Sequence, residues 1–343
     1  MRVSVIIVTI NRPDCVRICL EHLQRLAPAP DQLIVVDSSR DEATRAVAAV
    51  FPDVLYLRNE LGDGHTTASR NIGSLHATGD IVAFLDDDAY VRPGWLEALL
   101  QGYDDPTVGA VGGRALRNQH GEDVEGVDEI GKFTNRGVLT GNFAADPGKI
   151  VEVDHLIGCN MSFRREVIAR TGGFREGFPG YCLREESDIF FVMRRMGYRA
   201  LFNPACVVDH VAGPKPKGKR FDVRYEYYAE HNHYILLIRN FGLLHPIVWR
   251  YWFTKNIQAY VECVRRIAGA VVRLGAFIAG TISGLAMGTV WSVRQGRDPV
   301  RRDPLGEEMM RVLGARTQDK PVELTRTDLP STVFAGRVGK EGR

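Results

Sequence analysis

The sequence predicts an α/β fold whose mostly parallel sheet is covered by helices on both faces. Short β-branched runs alternate with helical patterns over residues 1–111, and the runs are apolar throughout. Such continuous apolar runs are typical of parallel strands that are buried on both sides. The predicted strands are 3–10, 33–36, 54–57, 81–85 and 108–111, and the predicted helices are 14–26, 41–50, 66–77 and 94–103.

Length and composition indicate one large folded domain with an appendage. The chain has 343 residues, of which 45% are hydrophobic and 25% are charged, as in ordinary globular proteins. The net charge of +2 gives no indication of nucleic-acid binding, so we expect no nucleic-acid partner. The six cysteines form no C-x-x-C pair, which favours buried free thiols in a reducing compartment. Residues 1–9 fit a first strand better than a signal peptide, so we expect a cytosolic catalytic part.

The second half of the chain divides into segments of different character. Regular patterns return at 153–163, in a helix at 186–196 and in a strand at 200–208, after a glycine-rich excursion at 114–150. A basic, proline-rich stretch at 214–220 precedes an aromatic helix near 225–239 and a hydrophobic stretch at 243–293. We therefore expect a catalytic domain at 1–220, a helical membrane-associated region at 221–296 and a charged, flexible tail at 297–343.

Residues 274–293 form a stretch of twenty residues without a charge, long enough to cross a bilayer. Gly280, Gly284 and Gly288 recur every four residues and share one helical face, as in closely packed helices. A span, a helix in the membrane interface and a buried helix packed on the domain all fit this pattern. We favour contact with the membrane surface.

Polar residues follow three predicted strands, at 9–12, 37–40 and 86–89. Ligands of open parallel sheets bind beyond the carboxyl ends of the strands, so these segments are the expected binding edge. The adjacent carboxylates of Asp86, Asp87 and Asp88 repel one another unless a cation or solvent compensates them. Such oxygen ligands suit Mg²⁺ or Mn²⁺. A solvated turn that caps the next helix is the alternative explanation.

Several segments, in order along the chain, resemble family 2 glycosyltransferases of the GT-A fold. They are 5–12, 35–39, 68–73, 79–88 and 158–165, followed by 172–174. The resemblance extends over roughly residues 3–212 and implies a Rossmann-like GT-A domain. It also implies a UDP- or dTDP-linked nucleotide-diphosphate sugar as donor. Nonprocessive rhamnosyltransferases and related enzymes of cell-envelope polysaccharide synthesis are the nearest kind, because the Gln-x-x-Arg-Trp signature of processive synthases is absent.

The resemblance further implies roles for residues at the donor side. Thr9 and Asp37 would hold the nucleobase, and Arg70 would lie near the nucleotide or its phosphates. Asp86 would contact the ribose or the metal, and Asp88 would bind the metal that bridges the diphosphate. The full set of donor-binding candidates is Thr9, Asn11, Arg12, Asp37, Arg70, Asp86 and Asp87.

An acidic turn opens the helix at 186–196. Inverting transfer needs a carboxylate that takes the proton of the acceptor hydroxyl. The family pattern implies that Glu186 is this base, although its longer side chain leaves Glu185 or Asp188 as alternatives. Acids that compensate the helix dipole in a first turn are the non-catalytic explanation.

Two further candidate positions come from the same resemblance. His210 follows a strand where some relatives place another metal ligand, so the metal candidates are Asp88, Asp86 and His210; a structural histidine is the alternative. Asn160 and Met161 lie in the segment that resembles the acceptor side. The basic stretch at 214–220 either closes over phosphates or is a solvated loop.

The expected reaction is the addition of one sugar to a membrane-linked, polyprenyl-linked glycan acceptor at the cytoplasmic face of the cell membrane. The membrane-linked acceptor is inferred from the hydrophobic C-terminal stretch alone. A nucleotidyltransferase is an alternative, but its glycine-rich, arginine-containing loop after the first strand is missing. A catalytically silent, membrane-associated protein that binds nucleotide sugars is another. The absence of G-x-G-x-x-G after the first strand disfavours a dehydrogenase.

Overall fold

A computed structural model describes residues 1–62, 65–180, 183–211, 223–265, 270–295, 309 and 311–312. The strands are β1 (Val3–Thr9), β2 (Gln32–Asp37), β3 (Val54–Arg58), β4 (Ile81–Asp86), β5 (Ala89–Val91), β6 (Val108–Leu116), β7 (Val151–Val153), β8 (Met161–Arg164) and β9 (Arg199–His210). The helices are α1 (Pro13–Gln24), α2 (Ala43–Ala48), α3 (Thr66–His76), α4 (Trp95–Gln101), α5 (Arg165–Thr171), α6 (Glu185–Arg195), α7 (Val223–Phe241), α8 (Pro246–Arg265) and α9 (Ala270–Gln295).

The strands form one mixed sheet in the order β3-β2-β1-β4-β8-β6-β9-β5, and β7 pairs with β9. The β3-β2-β1-β4 half is parallel, as is the β6–β9 pair. Every pair that contains β5, β7 or β8 is antiparallel. The α/β class is therefore confirmed, and the predicted parallel order holds where strands alternate with helices. It fails where β8 returns from the long excursion after β6, because no crossover helix constrains its direction.

The first strand shows why the sheet is covered on both faces. Val5 and Ile7 enter one hydrophobic cluster, and Ile6 and Val8 enter another. Because successive side chains of a strand point to opposite faces, the continuous apolar run is buried on both sides of the sheet. The cluster around Val5 and Ile7 contains side chains of α1 and α4, whereas the other contains side chains of α3, α5 and α6.

The C-terminal helices that the sequence predicts are present, and α9 packs against α7 through its glycines. A Cβ atom added at Gly280 would lie 2.6 Å from the Tyr227 carbonyl oxygen, and one added at Gly284 would lie 2.7 Å from the His231 carbonyl oxygen. At Gly288 the added atom would meet Ile238. The four-residue spacing therefore serves close packing of two helices within this chain. Within the described ranges, none of the helices combines the length and apolar content that a bilayer crossing requires.

Two predicted segments lie largely outside the described residues. The basic stretch at 214–220 is one of them, and most of the tail at 297–343 is the other. Within that tail, Met309 and Val312 are buried in the same hydrophobic cluster as Phe174. This part of the tail is therefore packed against the core.

Candidate active site

The carboxyl ends of the first parallel strands meet at one edge, as the sequence predicts. Thr9 at the end of β1 is paired with Asp37 of β2, and Val8 is paired with Asp86 of β4. This register brings the predicted segments at 9–12, 37–40 and 86–89 together. Each lies where a parallel strand ends, which is the usual ligand-binding edge of such a sheet.

The short strand β5 brings His210 to this edge. Ala89 of β5 is paired with His210 of β9, and the Val211 amide donates to the Asp88 carbonyl oxygen at 3.1 Å. As a result, Nε2 of His210 lies 3.3 Å from Oδ1 of Asp88. Because β5 directly follows the acidic triplet, pairing with β9 places the histidine beside these carboxylates.

The donor groups around His210 suit a divalent ion. Single ligand atoms of Asp86, Cys159 and His210 lie within 4.8 Å of one another, and Asp88 touches the same imidazole. Carboxylate and imidazole ligands accommodate Mn²⁺, and carboxylates alone accommodate Mg²⁺. Burial raises the pKa of the Cys159 thiol, so the uncharged thiol is its favoured form. The residues present therefore fit a site of two carboxylates and one histidine, with Cys159 beside it.

The buried Asp87 is hydrogen-bonded by residues at the end of β1 and in the turn after it. Thr9 donates a hydrogen bond to Asp87 at 2.7 Å, and Nη1 of Arg12 donates to Asp87 at 3.0 Å and to Asp88 at 3.1 Å. Burial raises the pKa of Asp87 to about 7 against the opposing effects of Arg12 and Thr9. The side chains of Thr9 and Arg12 thus orient Asp87 and Asp88, and their contact with a donor stays a prediction.

Asp37 and Asn11 shape the neighbouring turn. Asp37 is fully buried and accepts hydrogen bonds from the Ser39 amide and the Tyr56 hydroxyl, each at 2.8 Å, with Arg58 3.7 Å away. Asn11 is exposed and adopts a φ of 54°. Its backbone N–H donates a hydrogen bond to Ser39 Oγ at 2.7 Å. Asparagine tolerates this left-handed backbone. A role of Asp37 or Asn11 in donor binding stays a prediction.

Arg70 joins the acidic triplet to the acidic turn of α6. Its Nη2 lies 3.5 Å from Oδ1 of Asp86, and its Nη1 forms an ion pair with the buried carboxylate of Glu185. The same guanidinium donates to the Gly158 carbonyl oxygen at 3.4 Å. A Cβ atom at Gly158 would lie 2.7 Å from Nη2 of Arg70, so a side chain there would disturb this arrangement.

The three acids of the α6 turn have different surroundings. Glu185 is paired with Arg70, and Asp188 is fully buried between Arg175 and Asn240. Burial acts to raise the pKa of Asp188, but the cationic Arg175 and Arg239, with the hydrogen bond from Asn240, outweigh this effect and the pKa is lowered. Glu186 is partly exposed. It is also near enough to Asp86 for its negative charge to add to the effect of burial in raising the pKa of Asp86.

Asn160 and Met161 are both buried in the structure. Nδ2 of Asn160 donates to the carbonyl oxygens of Arg114 and Cys206, each at 2.9 Å, and its Oδ1 accepts from the Trp95 indole at 3.0 Å. Met161 belongs to a hydrophobic cluster of the core. Both side chains therefore hold β8 in the sheet, and their predicted role toward an acceptor stays a prediction.

Several residues in or beside the candidate site were not identified from the sequence. Arg58 directly follows a predicted strand, so the rule that identified Asp37 applies to it as well. Cys159 lies in a segment singled out by resemblance, yet its position beside His210 depends on how β8 and β9 are placed in the sheet. No local sequence pattern indicates that Arg175 pairs with Asp188.

Comparison with known proteins adds an independent observation. Residues 4–172 match the family described as glycosyl transferase family 2. The chain is 28% identical over 223 residues to the glucosyl-dolichyl phosphate glucuronosyltransferase of Haloferax volcanii, across 61% of this chain and 69% of that protein. It is 22% identical over 220 residues to the O-antigen chain rhamnosyltransferase RfbN of Salmonella typhimurium, across 63% of this chain and 68% of that protein.

The fold is also similar to that of solved glycosyltransferase structures. The mannosyltransferase PcManGT from Pyrobaculum calidifontis, solved in complex with GDP-Man and Mn²⁺, is similar with a TM-score of 0.51 and 21% identity. The superposition covers 92% of this chain and 86% of that one. At this identity the similarity establishes the shared fold alone.

The family match and the relatives favour sugar transfer over the nucleotidyltransferase alternative. Residues 4–172 therefore form a glycosyl transferase family 2 domain, and the protein is a glycosyltransferase that uses a nucleotide sugar.

Proposed function

We propose that the protein is an inverting, nonprocessive glycosyltransferase that adds one sugar to a membrane-linked acceptor at the cytoplasmic face of the membrane. The observation that carries this proposal is the position of Arg70 between Asp86 and Glu185. It unites the acidic triplet, which would hold a donor diphosphate through a bound cation, with the turn that contains a candidate base. Donor activation and proton removal would then take place at one site.

Asp88, Asp86 and His210 would hold a Mg²⁺ or Mn²⁺ ion. Support comes from the ligand atoms within a few ångströms of one another and from the Mn²⁺ bound in the solved relative. When bound, such an ion supplies Lewis-acid stabilisation of the negative charge that grows on the leaving diphosphate. Arg12 pairs with Asp88 and with the neighbouring Asp87, so its role in this scheme is to fix Asp88 before the donor arrives.

Glu186 would act as the general base. The acceptor hydroxyl loses its proton to the Glu186 carboxylate as its oxygen attacks the anomeric carbon, and the sugar–phosphate bond breaks on the opposite side. Glu185 and Asp188 are less suited, because each is buried and engaged by an arginine. Partial exposure leaves Glu186 accessible to an acceptor.

The donor and acceptor classes are supported by the relatives. The names of the two curated relatives include a dolichyl phosphate sugar and an O-antigen chain, both consistent with a lipid-linked or glycan acceptor. The solved relative binds a guanosine nucleotide sugar. We propose a hexosyl or deoxyhexosyl donor linked to UDP or dTDP, as the resemblance of the sequence implies, and GDP-linked sugars belong in the experimental panel because the solved relative binds one.

The test is a donor panel incubated with the full chain and Mn²⁺ or Mg²⁺. We expect one nucleotide sugar to be hydrolysed slowly in the absence of an acceptor, with the released sugar inverted at the anomeric carbon in early NMR spectra. Glu186→Gln should reduce turnover by about 10²-fold or more while nucleotide binding persists. Glu166→Gln is the matched control, because Glu166 also lies in the first turn of a helix, α5, and is exposed. Retention of configuration, or full turnover in Glu186→Gln, would contradict the proposal.

A further inference from the structure

Helix α8 has two apolar faces, one buried and one exposed. Ile247, Val248 and Tyr251 face the interior, where they pack with α7 in a hydrophobic cluster. A surface helix normally presents polar residues on its other side. Helix α8 departs from this rule over its first three turns.

The outward side of α8 has a second stripe of large apolar residues. Trp249, Trp252, Phe253 and Ile257 follow the i, i+3, i+4, i+8 spacing of one helical face and are between 39% and 62% exposed. We call these four residues the outward α8 face. Contiguous exposed apolar residues of this size mark an interaction surface more often than chance exposure.

The charges beside the outward α8 face are basic. The sequence from Leu243 to Gln258 has no carboxylate, and its exposed cation is Arg250, since the ammonium of Lys255 lies over the ring of the inward-facing Tyr251. Arg250 is exposed and lines a groove together with Arg136, Trp249 and Phe253. Aromatic residues flanked by arginine are the composition that sits at the boundary of lipid headgroups and acyl chains.

Helix α9 has a comparable surface on the side away from α7. Ile278 and Ile282 are exposed, whereas Gly280 and Gly284 between and after them face α7. Helix α9 is therefore apolar on two sides. One side packs on α7, and the other remains open.

We infer that the outward α8 face docks the protein in the surface of a bilayer that contains anionic phospholipid. Indole and phenyl rings would enter the headgroup boundary, and Arg250 would lie among the phosphates. The inference rests on the proposed function only for the role of docking, which is to bring the catalytic domain to a membrane-linked acceptor. Docking itself requires neither donor nor metal.

The experiment is co-sedimentation of the full chain with vesicles of phosphatidylcholine alone or mixed with phosphatidylglycerol. We expect binding to the mixed vesicles, weakened by at least about tenfold in the double variant Trp249→Ser/Phe253→Ser. Arg250→Glu should weaken binding to mixed vesicles and leave binding to neutral vesicles unchanged. The matched control is Val50→Ser/Val124→Ser, which removes two exposed apolar side chains elsewhere on the surface. It should bind as the unmodified protein does.

A second readout separates direct insertion from an indirect effect. Brominated lipid should quench the tryptophan emission of the unmodified protein, and most of this quenching should disappear in Trp249→Phe/Trp252→Phe. Donor hydrolysis without vesicles should be unchanged in every variant. If donor hydrolysis is missing in the unmodified protein but vesicle binding persists, the proposed function fails and the docking surface stands.

Three results would overturn the inference. The first is the absence of vesicle binding by the unmodified protein, or equal binding by Trp249→Ser/Phe253→Ser. The second is a dimer by light scattering that the double variant abolishes without any vesicle binding, since the occupant would then be a second copy. The third is a large loss of thermal stability in the double variant without vesicle binding, since part of this chain would then cover the face.

Discussion

Nε2 of His210 lies 3.3 Å from Oδ1 of Asp88, although the two residues belong to distant parts of the chain. Pairing of Ala89 with His210 across β5 and β9 creates this proximity. A histidine on this strand is therefore held beside the acidic triplet by backbone hydrogen bonds. This geometry makes His210 the most specific test of the proposed metal site.

Removal of the His210 imidazole should weaken metal binding. In His210→Ala, we expect the affinity for Mn²⁺ to fall by at least about tenfold, because the proposed site would lose one of its ligands. Titration of the full chain with Mn²⁺, followed by electron paramagnetic resonance of the free ion, measures this change. His120→Ala removes an exposed histidine and should leave the affinity unchanged. Equal affinities in both variants would exclude His210 as a ligand.

The Arg70–Glu185 pair should contribute to stability as well as to activity. Arg70→Met leaves the buried Glu185 carboxylate without its ion-pair partner and should cost about 3–5 kcal/mol of unfolding free energy. Glu185→Met leaves Arg70 with Asp86, 3.5 Å away, and should cost less. The double variant should lose much less than the sum of the single losses. Urea unfolding of all four proteins gives the coupling energy. Additive losses would show that the pair is not coupled.

The activity of the same double variant separates structure from chemistry. If Arg70 contacts the donor as proposed, stability recovers in Arg70→Met/Glu185→Met but donor turnover does not. A double variant with recovered stability and full turnover would assign Arg70 a structural role alone.

Asp188 should make stability depend on pH in the acid range. Its folded-state pKa is lowered, so its stabilising effect is present above the unfolded value of about 3.9 and is lost as pH falls toward the folded value. Asp188→Asn should lose about 3–5 kcal/mol at pH 7, because Arg175 loses its ion-pair partner. The same variant should depend less steeply on pH below about 4.

Urea midpoints at pH 7 and at pH 3–4 measure both effects of Asp188→Asn. Asp146→Asn is the control, since the Asp146–Arg114 pair is partly exposed and its removal should cost less than about 1 kcal/mol. Parallel pH profiles for the unmodified protein and Asp188→Asn would count against this account of Asp188.

Two glycines of α9 should respond oppositely to alanine. In Gly284→Ala, the new methyl group would meet the His231 carbonyl oxygen at 2.7 Å, so the helices must separate at a cost of about 1–3 kcal/mol. In Gly275→Ala, no atom lies within 4 Å, and the higher helix propensity of alanine should stabilise by up to about 1 kcal/mol. Thermal unfolding of both variants measures the difference. Equal effects would mean that α9 does not pack on α7 as described.

The fold of the N-terminal half could be predicted from local signals. The strand predicted at 3–10 is found at Val3–Thr9, and the helix predicted at 66–77 is found at Thr66–His76. These elements have long, continuous patterns. The three-residue strand β5 has no such pattern, because its identity comes from pairing with β9 and not from its own composition. The reversed direction of β8 likewise depends on a distant partner.

The spatial grouping of the candidate residues was predictable to a similar degree. Asp86, Asp88 and His210 lie together, as do the triplet and the acidic turn of α6. The sequence did not distinguish the three acids of that turn. Their difference arises from Arg70 and Arg175, whose side chains reach Glu185 and Asp188 only in the folded chain.

The most direct measurement of the central claim is calorimetric titration of the full chain with UDP, dTDP and GDP, in the presence of Mn²⁺ or of a chelator. We expect at least one nucleotide to bind about tenfold or more tightly with Mn²⁺, because Asp88 would hold the ion and the ion would offset the negative charge of the diphosphate. Asp88→Asn should abolish that gain. Asp209→Asn, which removes the neighbouring carboxylate that pairs with Arg92, should retain it. Binding that is equally tight with a chelator, or equally metal-dependent in Asp88→Asn, would contradict the account.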